Sequence, residues 1–171
     1  EKMKNVIDYA HSKIRSDFMD VFLTSQCRFA VVTNSGYQGF AEIFEPPLVL
    51  TNYVPMTARA RSPNEIFIYK MLRSKQTGKI LNFKESLEQP IGNAIMNQNY
   101  ESLNLELINN TEDEINDAVI EMLDITDNKK IYSKDDEKLQ YRFNSLHSNY
   151  SGWGGLGRIG QSFINKYKYL L

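Results

Sequence analysis

Residues 27–55 constrain this chain more than any other stretch, because they read as strand, tight turn, helix and second strand with nothing left over. Residues 28–32 form a short run rich in β-branched and aromatic side chains, the pattern of a strand buried on both faces. Thr33, Asn34, Ser35 and Gly36 interrupt it. Phe40, Ile43 and Phe44 then recur at helical spacing, so an amphipathic helix follows directly after Gly36, and Pro46 and Pro47 stop it. Leu48, Val49 and Leu50 make a second buried strand that ends in Thr51, Asn52 and Tyr53 before Pro55. Two apolar strands joined through a helix form a right-handed crossover, which predicts an α/β domain built on a parallel sheet.

Ligands of such sheets collect at the carboxyl ends of the strands, here residues 33–36 and 51–53. The first of these also opens a helix, whose free N–H groups at Ser35, Gly36 and Tyr37 suit a phosphate. Asn34 and Ser35 serve equally as helix caps, the commoner role of these residue types before a helix. Further along, Arg59 and Arg61 follow the second strand end, where either guanidinium is placed to neutralise a diphosphate; most surface arginines do nothing of the kind.

The rest of the chain alternates in the same way. Val6 and Ile7 suggest a strand leading into Asp8 and Ser12, which either border the ligand crevice or only end a strand and turn the chain. Phe18, Val21, Phe22 and Leu23 are expected as the core face of a helix running to Cys27. Ser62, Pro63 and Glu65 read as a helix start, with Ile66, Phe67, Met71 and Leu72 as its buried side. Ile80, Leu81 and Phe83 suggest a short extended piece, residues 86–104 a short helix and a loop, and Leu105, Leu107 and Ile108 a strand. Thr111 with Glu114 is a capping box, and Ile115, Ala118, Val119, Met122 and Leu123 trace one face of a helix. Residues 127–138 are a charged linker and helix start, continued by Leu139, Phe143 and Leu146. The glycine-rich run 151–160, with Trp153, lacks the preceding strand and the acidic residue about twenty positions on that a dinucleotide fingerprint requires. It reads as a turn into a closing helix over 158–171 that buries Phe163, Ile164, Tyr167 and Leu170.

These phrases carry a resemblance. Asp20-x-x-Leu23, C-R-F-A-V-V-T-N-S-G over 27–36, a short helix, then P-L-V-L-T-N over 47–52 and Pro55 resemble the donor-binding half of GT-B glycosyltransferases. Within these the chain looks like bacterial enzymes of surface-polysaccharide clusters, although Asn34 stands where that family has a serine and Ala30 where it has an aromatic residue. D-Y-x-x-S at Asp8–Ser12, Met19 with Asp20, Lys70, L-x-F-x-E at 81–85 and R-I-G-x-x-F at 158–163 match it further. The resemblance implies a Rossmann-like three-layer domain with a parallel sheet, the C-terminal half of a GT-B fold. It implies a nucleotide-sugar donor held by Asn34, Ser35, Gly36, Tyr37, Asn52, Tyr53, Asp8, Ser12 and one of Arg59 and Arg61, with no metal and no cofactor. The catalytic base would come from an N-terminal acceptor domain, so the isolated domain is expected to bind without turnover, in the cytoplasm or at the inner face of the membrane, in lipopolysaccharide or surface-polysaccharide assembly. A nucleotide-sugar epimerase half-domain and a non-catalytic flavodoxin-like module remain the alternatives.

Totals narrow the classes. The 171 residues suffice for one domain with a real core. A net charge of -1 argues against general binding to nucleic acid or an anionic membrane. One cysteine, Cys27, excludes a disulfide framework and is expected in the core. His11 and His147 have no ligand companions at metal-binding spacing, and no apolar run reaches the length of a membrane span. The chain opens at Glu1 and meets Val6 and Ile7 at once, which suggests a piece of a longer protein.

Overall fold

Four parallel strands, β1 (Ala30–Thr33), β2 (Leu48–Tyr53), β3 (Glu65–Tyr69) and β6 (Arg158–Ile159), pair in the order β1-β2-β3-β6 in the computed structural model, which describes residues 4–150 and 155–171. Helices flank this sheet, giving a Rossmann-like three-layer α/β fold. The expected crossover is present: β1 and β2 run parallel in register from Ala30↔Leu48 to Thr33↔Thr51, with α2 (Gly36–Phe44) between them. Leu48, Val49 and Leu50 are fully buried, because β2 has a strand on each side and α5 (Glu112–Thr126) packed against it. An edge place gives β1 a different character. Its burial alternates, and Val31 is 46% exposed, so it is not the doubly buried strand that its composition predicts.

The segment expected as a helix after Ser62 is instead β3 followed by β4 (Met71–Ser74). The Glu65 carboxylate accepts hydrogen bonds from the amides of Arg61 (2.7 Å) and Ser62 (3.1 Å), so the cap-like signature closes a loop. All of residues 65–69 are buried between β2 and β6, an environment that favours the β-branched and aromatic run I-F-I-Y as strand. β5 (Leu105–Ile108) forms where the alternation places it, but pairs antiparallel with β4 in a separate two-stranded sheet. Phe83 does not extend a strand: it starts α3 (Phe83–Leu87) under an Asn82–Glu85 capping box, and α4 (Asn97–Ser102) follows.

The Thr111–Glu114 capping box starts α5, whose Ala118 and Met122 face inward. The charged linker gives way at Ser133, which caps α6 (Lys134–Leu146) with Asp136. The closing helix is shorter than expected. Arg158 and Ile159 form β6 beside β3, and only then does α7 (Gln161–Lys166) begin, followed by a turn of 3-10 helix at Lys168–Leu170. Phe163, Ile164, Tyr167 and Leu170 are buried as expected. Gly157 makes the strand possible: a Cβ there would strike Ala60 and come within 2.9 Å of the Glu65 carbonyl oxygen. Trp153 and the glycines at 152 and 154 lie outside the described residues.

The first third of the chain departs most from expectation. Val6 and Ile7 form no strand and are exposed; a 3-10 turn at Tyr9–His11 stands there. α1 (Asp17–Gln26) exists, but Phe18 is 72% exposed and Val21, Phe22 and Leu23 are also exposed, leaving Thr24 as its one buried residue. The helix packs on α2 at the margin of the sheet and so has no core to face. On α2 itself, Phe40 and Phe44 meet edge to face at 5.3 Å while Ile43 is exposed. Cys27 is half-buried rather than a core residue, its thiol donating to the Thr24 carbonyl.

Candidate functional site

A cleft of about 960 Å³ opens at the carboxyl ends of β1 and β2. Ser35, Gln38, Gly39 and Glu42 line one side, spaced as a single face of α2. Tyr53 and residues from the β2–β3 loop, Thr57, Ala58 and Arg61, line the floor and far wall. Asn93 and Ile95 close one end, and Asn149 and Tyr150, just after α6, close another. The lining is rich in amides and contains two tyrosines, groups that bond hydroxyls and stack on flat rings.

One carboxylate and one guanidinium belong to the lining, and they pair. Arg61 Nη1 lies 2.9 Å from Glu42 Oε2, while Gln38 Nε2 donates to Glu42 Oε1 at 2.8 Å. Burial raises the Tyr53 hydroxyl pKa above its ordinary value, against a lowering pull from Gln38. Nearby, burial pushes the Glu65 carboxyl up against the opposing pull of the Ser62 and Arg61 amides.

An aromatic cluster supports the floor. Tyr53 and Phe67 pack against Tyr69, and Phe143 meets Phe67, Tyr69 and Phe83. His147 is 3% exposed, with Nδ1 3.2 Å from the Phe143 carbonyl and Nε2 3.2 Å from that of Met56. Burial lowers its pKa, and the charge of Arg59 lowers it further, against the two carbonyls. The Tyr69 hydroxyl donates to the Ala58 carbonyl at 2.5 Å. His147 and Tyr69 thus hold the cleft-lining loop down on α6 and β3. His147 is a packing residue, whereas His11 is exposed and bonded to Asp8.

Of the residues expected at the site, the structure brings together Asn34, Ser35, Tyr53 and Arg61. Ser35 takes the N-cap position of α2 in extended conformation but makes no capping bond, so its side chain faces the cleft unengaged. Asn34 reaches across to the next strand: Nδ2 donates to the Val54 carbonyl at 2.6 Å and Oδ1 accepts from the Val54 amide at 3.0 Å. Both ends of its amide are therefore occupied by backbone. Gly36 opens α2 but does not line the cleft, and a Cβ there would meet nothing within 4 Å. The Tyr37 hydroxyl pairs with Thr24 Oγ1 at 2.9 Å, tying α2 to α1.

Asn52 is outside the lining, where its strand-end position predicts a contact. It sits at φ 52° and exchanges hydrogen bonds with Asn110: its amide donates to Asn110 Oδ1 and its Oδ1 accepts from the Asn110 amide at 2.8 Å. Asn110 Nδ2 donates to the Tyr69 carbonyl at 2.7 Å, so this pair joins β2 and β3 to the turn before α5. Asp8 and Ser12 also lie outside the lining, beside the 3-10 turn at Tyr9–His11. Arg59 does not line it either.

Sequence reasoning missed Gln38, Glu42, Thr57, Asn93, Asn149 and Tyr150. Gln38 and Glu42 were accessible to it, since they repeat the position of Ser35 at three and seven residues along one helix. The others come from segments far apart in the chain. Among the described residues, no group of three or more His, Cys, Asp or Glu side chains is arranged to hold a metal ion, and no helix is long and apolar enough to cross a membrane. No protein-family model, curated protein or solved structure matches the chain.

Proposed function

We propose that this chain is the donor-binding domain of a glycosyltransferase, one that holds a nucleotide sugar in the cleft at the ends of β1 and β2. The observation that carries the reading is the placement of that cleft, at the carboxyl end of a parallel sheet and beside the start of α2, with Ser35 facing in unengaged. A volume of about 960 Å³ accommodates a nucleoside diphosphate with a sugar attached. The positive end of α2, beside the cleft at Ser35, would stabilise negative charge growing on the departing diphosphate, while Tyr53, Tyr150 and the amide side chains receive the base and the hydroxyls. No cofactor is required for that role. The catalytic base would come from another domain, and the uncovered apolar side chains of α1 and β1 support a reading in which such a domain packs there. Surface-polysaccharide or lipopolysaccharide assembly at the inner face of the membrane is the setting that the sequence resemblance favours.

The test is a titration of the purified chain with nucleoside diphosphates and their sugar conjugates, followed by amide chemical shifts or heat, with Ser35→Trp as the blocked variant. Saturable binding of one base class by the unsubstituted chain, lost in a folded Ser35→Trp, supports the reading. Binding that Ser35→Trp leaves intact places the ligand elsewhere, and no binding at millimolar concentration favours a non-catalytic module.

A further inference from the structure

We propose that His147 is a proton-sensitive latch on the cleft: neutral, it ties the end of α6 to the loop after β2, and in acid it lets residues 148–150 swing away from the cleft wall. The ring stands between two segments that line the cleft. Asn149 and Tyr150 follow it directly, and the Tyr150 amide donates to the His147 carbonyl at 3.0 Å. On the other side its Nε2 lies 3.2 Å from the carbonyl of Met56, the residue before Thr57 and Ala58 of the far wall. The loop keeps anchors of its own, since the Thr57 amide and hydroxyl both donate to the Gly92 carbonyl and Tyr69 holds Ala58. The backbone bonds of residues 148–150 are local, Ser148 to Ser145 and Tyr150 to His147. Among the described residues, the hydrogen-bonded tie from this segment across to the loop is therefore the His147 ring.

A neutral imidazole has one N–H, yet each nitrogen here faces a carbonyl, Phe143 at Nδ1 and Met56 at Nε2. A second proton would serve both carbonyls, but it would place a charge in a site where the side chain has almost no water and packs on the Phe143 ring at 4.7 Å. The titratable and charged groups that face it offer no counter-charge. From β3 comes the Tyr69 hydroxyl, 3.4 Å from Nε2, which burial keeps a neutral phenol by holding its pKa far above the ordinary value. From the loop comes the Arg59 guanidinium, which repels a second cation, and α6 contributes the Phe143 carbonyl and ring. Burial therefore prevails over the carbonyls, and the folded ring titrates below the ordinary 6.5. A state in which the ring has reached water binds the proton more readily than the closed one. Opening thus becomes easier as the pH falls below about 6.5, down to the lower folded value.

The experiment uses the whole chain without ligand. The His147 ring is titrated by NMR, and amide exchange at Tyr150 and Leu50, corrected for the intrinsic rate, is measured at about pH 7.5 and about pH 5.5. His147 is expected to titrate below 6.5, and Tyr150 to open more readily than Leu50, which sits in the core of β2. The opening constant at Tyr150 should rise by up to about tenfold between the two conditions, the limit for a ring that titrates at 6.5 once exposed. In His147→Gln, which keeps a donor and an acceptor but does not titrate, this rise should vanish. Should that variant fail to fold, the titration and exchange of the unsubstituted chain decide alone. The proposal is overturned if His147 titrates at or above 6.5, if opening at Tyr150 does not change with pH, if Tyr150 opens no more readily than Leu50, or if the rise persists in His147→Gln. No ligand enters these measurements, so their outcome is separate from that of the donor titration.

Discussion

Replacing Asn110 by alanine tests whether the amide network at the end of β2 is architecture rather than ligand contact. The substitution removes two hydrogen bonds made by the side chain, one from the Asn52 amide and one to the Tyr69 carbonyl at 2.7 Å. Asn110 is 9% exposed, so the abandoned amide and carbonyl have little water to turn to. Each such loss costs about 1–3 kcal/mol, and the pair about 2–5 kcal/mol. That is a large share of the roughly 5–15 kcal/mol by which a domain is stable, and it corresponds to a fall in Tm of about 5–15 °C for a chain of this length. Urea unfolding followed by circular dichroism measures it. Asn52→Gly should cost less, about 1 kcal/mol, because glycine suits φ 52° and only the bond from the Asn110 amide at 2.8 Å is lost. The double variant should show coupling of about 0.5–3 kcal/mol. A loss below about 0.5 kcal/mol for Asn110→Ala, with an unchanged urea slope, would refute the reasoning, because it would mean that water replaces the side chain at no cost.

Two further outcomes concern the sheet edge and the charge network. Gly157→Ala should destabilise the fold by about 1–3 kcal/mol and loosen β6, since the added methyl meets Ala60 and the Glu65 carbonyl; faster amide exchange at Ile159 relative to Leu50 would report it. For Glu114, burial raises the carboxyl pKa, but hydrogen bonds from Lys166, the Thr111 amide and Tyr167 outweigh it, so the net folded value lies below the ordinary 4.5. This side chain therefore contributes stability that is fully present above about pH 4.5 and disappears as the pH falls through the lower folded value. Glu114→Gln should accordingly be less stable than the parent at neutral pH and approach it in acid. A difference between the two unfolding midpoints that does not vary with pH would exclude the linkage.

Much of the fold was legible because it depends on neighbours in the chain. The crossover from β1 through α2 to β2, the capping box at Thr111, and the inward faces of α5 and α7 all follow from patterns within a few residues. The helix expected after Ser62 failed because I-F-I-Y is apolar throughout, and a short apolar run has no period of its own to separate strand from helix. Its two neighbours decided the matter. α1 shows the opposite limit: its apolar face is real in the sequence, yet the protein leaves it exposed, since amphipathicity marks a surface for burial without specifying what covers it.

The candidate site divides along the same line. Ser35, Gln38 and Glu42 share one helix face, a spacing the sequence carries, although of the three only Ser35 was expected at the site. The reach of Asn34 to Val54, the pairing of Asn52 with Asn110, and the arrival of Asn93 and Tyr150 at the cleft beside Asn34 involve residues 20 to 116 positions apart. Asn34 and Asn52 look alike as polar strand ends, and both turn out to bond backbone rather than stand free for a ligand. Local conformation is set by torsional preference and by the period of apolar side chains, which the sequence carries. A side chain's partner is set by which segments packing brings within about 3 Å, and that is decided only when the core closes.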